Sequence, residues 1–158
     1  MNVELGISTF GETTPLEKTG KAISHDQRIR DLVDEIVLAD KLGIDAYAIG
    51  EHHRKDFAVS APEIVLAMAD SKTKQLSSAT TNLPTINSIR VYEQYATMDT
   101  IAPGRIEIMA GRGSFTEAFD LFGYDLNDYN DLFKEKLDMF VSNKQKRNSE
   151  LAWWQVHT

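Results

Sequence analysis

What most constrains the fold of this chain is a rhythm. Short apolar runs alternate with stretches whose apolar residues recur at helical spacing. The first run, VELGISTF at residues 3–10, reads as a short buried strand, and a polar loop follows from Gly11 to Ser24. Ser24 then stands where an N-cap belongs, its hydroxyl able to accept from the free N–H groups of a first helical turn. Through HDQRIRDLVDEIVLADKLG the apolar positions Ile29, Leu32, Val33, Ile36 and Val37 fall on one face with charges on the other. Gly43 is placed to end that helix as a left-handed residue. DAYAIG is a second strand, and Pro62 opens PEIVLAMADSK as a second helix. QLSSATTNL predicts a third strand and IRVYEQYATMDTIA a third helix, stopped by Pro103-Gly104. RIEIMAGRG predicts a fourth strand, and NDYNDLFKEKLDMF a fourth helix with Leu132, Phe133, Leu137 and Phe140 on one stripe.

From the second strand onward the units recur about every 30 residues, the length of a β-α-β crossover. Such alternation implies a parallel sheet with right-handed connections. Two architectures satisfy it. One is a small doubly wound open sheet, and the other is half of a (β/α)₈ barrel, which takes about 250 residues when complete. In both, sites form at the C-terminal ends of the strands. Ser8-Thr9, Glu51-His52-His53, Ala79-Thr80-Thr81 and Gly111-Arg112-Gly113 all stand at such ends, so the rhythm brings them to one polar rim.

Composition narrows the function classes. At 158 residues the chain makes one domain with a real core, and 42% apolar with 26% charged residues is ordinary for a soluble globular protein. No run approaches the length of a membrane span, and MNVELGIST carries no secretory signal. The absence of cysteine excludes disulfides, thiolate metal sites and a cysteine nucleophile. A cytoplasmic location is the expectation. A net charge of −7 argues against nucleic-acid binding, which needs basic surface.

Each rim cluster has a plain reading beside a functional one. Glu51-His52-His53 could be loop polarity, or one imidazole could handle protons or a ligand while the other turns away. A metal clip is disfavoured, since neighbours on an extended segment point to opposite faces and no H-E-x-x-H pair is present. Gly111-Arg112-Gly113 is either a turn or an anion site of backbone N–H groups and a guanidinium. It is not a dinucleotide fingerprint. The small residues at 78–81 are close packing or a floor for a flat ligand. Tyr92, Tyr95, Phe115, Phe119 and Phe122 read as core or interface.

Taken together, EIVLADKLGIDAYAIGEHH, NLPTINSIRVYEQYATMDTIAPGRIEIMAGRGSFTEAF and LFGYDLNDYNDLFKEKLD resemble the luciferase-like flavin-dependent monooxygenases, over roughly residues 1 to 140. The resemblance implies a (β/α)₈ TIM-barrel fold, of which this chain holds about the first four β/α units, a half-barrel. It implies reduced FMN and oxygen as co-substrates acting on an organic small molecule, with deazaflavin F420 the cofactor of a related branch. Carried over by position, His52 is the acid–base residue beside the flavin. His53, Ala79, Thr80 and Arg112 are the flavin-binding positions, Arg112 near the phosphate. Thr80 departs from the alanine of luciferase.

Residues 141–158, VSNKQKRNSELAWWQVHT, leave the family pattern and predict a non-family tail, as a shifted reading frame would produce. The resulting expectation is a truncated, impaired monooxygenase polypeptide, or alternatively a non-catalytic remnant that only assembles. Two uncovered strand edges add to the expectation of a homodimer or larger assembly. The resemblance places a homodimer interface on the helices at about 62–72 and 89–102, with Ala67, Ala69 and Ala96 allowing close approach.

Overall fold

The structure, a computed structural model, describes residues 3–15, 17, 19–74 and 76–150. Four strands, β1 (Gly6–Thr9), β2 (Ala46–Gly50), β3 (Leu76–Asn82) and β4 (Ile106–Gly111), form one sheet in the order β1-β2-β3-β4. All three pairings are parallel. The crossovers are helices α1 (His25–Lys41), α2 (Pro62–Asp70) and α3 (Ser88–Ile101), with α4 (Glu117–Phe122) and α5 (Tyr129–Glu150) after β4. Each strand foreseen in the sequence is present, one to four residues shorter than its apolar run. The short α4 was not foreseen, because its six residues hold too few turns to show a period.

Strand parity divides the sheet into two faces. Ile49, Ala79 and Ile108 lie side by side in register and pack with Leu32, Ile36, Leu66 and Val91 of the helices. Full burial of such a side chain contributes roughly 1.5–3 kcal/mol, so this one-sided layer supplies most of the driving force. The opposite face carries Ser8, Ala48, Ser78 and Glu107 in one row and Gly50, Thr80 and Met109 in another. That face is small and polar.

Local signals act as the chain predicts at some ends and not at others. Gly43 takes φ +79°, and Gly43 and Ile44 N–H donate to the Asp40 and Ala39 carbonyls, closing α1 in a Schellman turn. Pro62 sits in the first turn of α2. At Ser24, however, no side-chain cap bond forms, and its hydroxyl instead lowers the pKa of Asp26. Strand β1 is also not buried. Val3, Leu5 and Ile7 are 77%, 60% and 43% exposed, since no helix covers the outer face of this edge strand among the described residues. α5 runs on to Glu150, beyond the last position of its apolar stripe. It is docked by polar contacts that periodicity cannot reveal: Ser88 Oγ donates to the Lys136 carbonyl at 2.8 Å and Lys136 Nζ to the Pro84 carbonyl at 2.6 Å. Of the tail expected at 141–158, residues 141–150 continue α5 and residues 151–158 lie outside the described residues.

Candidate active site

Because all four strands run the same way, their C-terminal ends meet on one rim. Two loops close over it. Thr13 N–H donates to the Asp56 carbonyl at 2.9 Å and Ala58 N–H to the Gly11 carbonyl at 2.8 Å, tying the β1–α1 loop to the β2–α2 loop. Gly11 makes this approach possible, with φ +69° and Val59 Cγ2 only 2.7 Å from where a Cβ would stand. The zipped loops carry Phe10 and Phe57 to either side of His52.

His52 is buried in an aromatic cage. Its ring lies 4.9 Å from Phe10, 4.4 Å from Phe57 and 4.9 Å from Phe115. Its backbone N–H donates to the Val59 carbonyl, and among the described residues nothing hydrogen-bonds its ring nitrogens. Burial lowers its pKa below the usual 6.5, opposed in part by the carboxylates of Glu117, Glu12 and Glu51 and reinforced by His53. The neutral ring is therefore the resting form near neutral pH, with a lone pair free to accept a proton.

His53 turns the other way, as alternation along an extended segment requires. Its Nε2–H donates to Glu51 Oε1 at 2.7 Å, and Phe122 meets its ring edge-on at 5.1 Å. Glu51 Oε2 accepts from the Asn82 N–H at 3.0 Å. One carboxylate thus ties the end of β2 to the end of β3. A groove of about 290 Å³ opens beside the pair, lined by His25, His52, His53, Arg54, Phe57 and Leu121 among others. Arg54 is held over the Phe115 ring at 4.8 Å and paired to Asp56 at 2.9 Å.

The remaining expected positions are more dispersed. Ala79 is fully buried with its methyl in the sheet–helix core, which leaves only its backbone for a ligand to meet. It lies inside β3 and not at its end. Thr80 is on the open face, its Oγ1 3.2 Å from Met109 Sδ. Arg112 is exposed at the end of β4, but it hydrogen-bonds Asn130 and stacks over Tyr129 and Phe133 of α5. Thr81 caps the sheet–helix layer through Tyr95, their hydroxyls 3.0 Å apart. The sequence reading missed Phe10, Phe57 and the linking role of Glu51. Aromatic residues in loops that immediately follow strands were the available signal for the first two.

These residues fit one flank of a flavin. Gly111 has no room for a Cβ, which would meet Thr80 Cγ2 at 2.7 Å and the Thr81 carbonyl at 3.0 Å, so the strand ends form a close, flat floor. The phosphate end is less complete, since the Arg112 guanidinium is committed to α5.

Comparison with known proteins gives a consistent picture. Residues 3–142 match the family described as luciferase-like monooxygenase. The N-acetyl-S-alkylcysteine monooxygenase of Bacillus subtilis is 31% identical over 106 residues, 64% of this chain and 32% of that protein. The oxygenase component of the flavin-dependent trigonelline monooxygenase of Acinetobacter baylyi is 32% identical over 62% of this chain and 29% of its own length. Among solved structures, the oxygenating constituent of 3,6-diketocamphane monooxygenase from Pseudomonas putida, in complex with FMN, superposes with a TM-score of 0.78 at 23% identity, covering 89% of this chain and 38% of that one. The chain therefore spans about a third of the length of the curated relatives it matches, and its four strand–helix units correspond to part of their barrel.

Proposed function

The chain belongs to the luciferase-like monooxygenase family, and on that footing we propose that its rim is the flavin-facing side of an FMN-dependent monooxygenase site, with His52 as its proton-handling residue. The observation that carries this reading is the His52 imidazole: buried, neutral, lining a groove, and free of ring hydrogen bonds among the described residues. When bound, reduced FMN would supply the electrons that activate oxygen toward an organic substrate. His52 would accept or return the proton at its free ring nitrogen, and the Phe10, Phe57 and Phe115 rings would keep water from it. His53 positions Glu51 and, through it, the β2–β3 junction. Thr80 and the backbone at Ala79 would form the floor, and Arg112 would reach the phosphate only after leaving Asn130.

Titration of the purified protein with FMN, followed by fluorescence quenching, tests the reading. Binding in the micromolar range supports it. No binding up to millimolar FMN favours a non-catalytic, assembling protein, and tighter binding of F420 moves the chain to the deazaflavin branch. A cytoplasmic location and a homodimer complete the proposal. Among the described residues no helix is long and apolar enough to cross a membrane.

A further inference from the structure

Arg54 is anchored to one loop and pressed against another. Its Nε and one Nη donate to the two carboxylate oxygens of Asp56, each at 2.9 Å, within the β2–α2 loop. That two-point fork fixes the plane of the guanidinium. Its central carbon lies 4.8 Å from the centre of the Phe115 ring and 5.9 Å from that of Phe57. Phe115 belongs to the β4–α4 loop, and its ring packs against both His52 and Phe57. Backbone bonds at Gly11, Thr13, Asp56 and Ala58 secure the loops that carry Phe10 and Phe57. Phe115 has no such tie. Among the described residues no hydrogen bond joins residues 112–117 to either of those loops. What reaches across to this third wall of the His52 cage is the Arg54 guanidinium, which the Glu117 carboxylate of α4 also attracts.

We propose that Arg54 is a positioning residue of this site, a latch that clamps Phe115 against His52 and so keeps water from the imidazole. What the latch does for turnover rests on the reading of His52 as the proton-handling residue. Its strength suits a latch. The Arg54 and Asp56 side chains are 43% and 36% exposed, and both an exposed cation–π contact and an exposed ion pair are weak. The clamp therefore opens and recloses readily. Arg54 and His52 line the same groove, so a small molecule entering it passes the guanidinium before it meets the imidazole. Opening the latch admits that molecule, and closing it dries His52 before a proton moves.

The test is an NMR titration of the His52 ring in the full chain without FMN, its signals assigned by their loss in His52→Gln. The charged and titratable groups about the ring are Glu117 on α4, Glu12 on the β1–α1 loop, Glu51 and His53 beside it, and Arg54 and His25 in the groove. Burial is the main cause of its lowered pKa, so water that reaches the ring raises it. Removing the Arg54 charge also raises it, and a double-mutant cycle separates the two causes. Arg54→Ala should move the His52 pKa up toward 6.5, and that rise should shrink by at least about half when Phe115 is already leucine. An equal rise in both backgrounds would overturn the proposal, because Arg54 would then act as a charge and not through Phe115. Should Phe115→Leu lack a cooperative thermal transition, cross-relaxation between the Phe115 and His52 rings decides. It should weaken in Arg54→Ala and return in Arg54→Lys, whose ammonium is still drawn to the ring face. Undiminished cross-relaxation in Arg54→Ala would overturn the latch. Neither measurement involves flavin, so their failure leaves the FMN reading to its own titration.

Discussion

His52 and His53 are neighbours in sequence and opposites in environment. His53 spends its ring N–H on Glu51, while His52 sits among three phenylalanines with its nitrogens unclaimed by described residues. If the rim is competent, His52→Ala should lower turnover with reduced flavin and oxygen by about 10²-fold or more, the usual scale for losing a general acid or base. His53→Ala should cost much less. Equal mild losses in a stopped-flow turnover assay would remove His52 from its role. The same burial has a consequence for stability. The unfolded chain takes up the His52 proton near pH 6.5, whereas the folded chain takes it up only at lower pH. Between those values the unfolded state binds more protons. This contribution is therefore complete above about pH 6.5 and is lost as pH falls through the folded pKa. Urea midpoints of wild type and His52→Leu at pH 7.5, 6.5 and 5.5 should show a shallower acid decline in the variant. Parallel declines would contradict the assignment.

At the scale of the element, the two polar residues that precede α1 and α3 look alike in sequence and act differently. Asn87 Oδ1 accepts from the N–H groups of Ile89 and Arg90 at 3.0 and 3.1 Å, whereas Ser24 makes no such bond. Asn87→Ala is expected to cost about 1 kcal/mol, a fall of roughly 2–4 °C in Tm for a domain of this size. Ser24→Ala should cost clearly less, since it removes no helix cap and only a bond to the exposed Asp26 carboxylate. Calorimetry of both variants checks the contrast, and equal shifts would mean that Ser24 caps α1 in solution. Helices α1 and α5 were legible from their apolar period, unlike the six-residue α4. The caps were not, because a hydroxyl or amide at a helix start has several competing partners within reach, and only the local backbone decides among them.

For the whole molecule, the open question of surface is which apolar groups another chain covers. The alanines expected to mediate helix pairing are not the exposed groups on α2. Ala69 is fully buried in its own core, and Ala67 and Ala96 are only partly exposed. Ile64 and Met68 stand out instead, 59% and 52% exposed on a helix that is apolar nearly all round. Contiguous exposed side chains of this kind mark an interaction surface. The chain should sediment at twice its own mass at low micromolar concentration. Ile64→Glu combined with Met68→Glu should return it to one chain mass with its thermal transition retained. A dimer undisturbed by the pair would place the interface elsewhere.

The sequence by itself determined the order of the four strands and their long helices, the parallel sheet, and that Glu51, His52 and His53 follow β2 while Arg112 follows β4. Those follow from short-range periodicity and from the handedness of crossovers, both written residue by residue. It also carried the family, through motifs that lie within single strand–helix units. Tertiary structure alone decided that Glu51 ties β2 to β3, that Phe10 and Phe57 enclose His52, and that Arg112 is engaged with α5. It also decided that β1 stays exposed and Ala79 faces inward. Each of these depends on contacts between segments far apart in the chain, and no local pattern encodes which distant partner a side chain will meet.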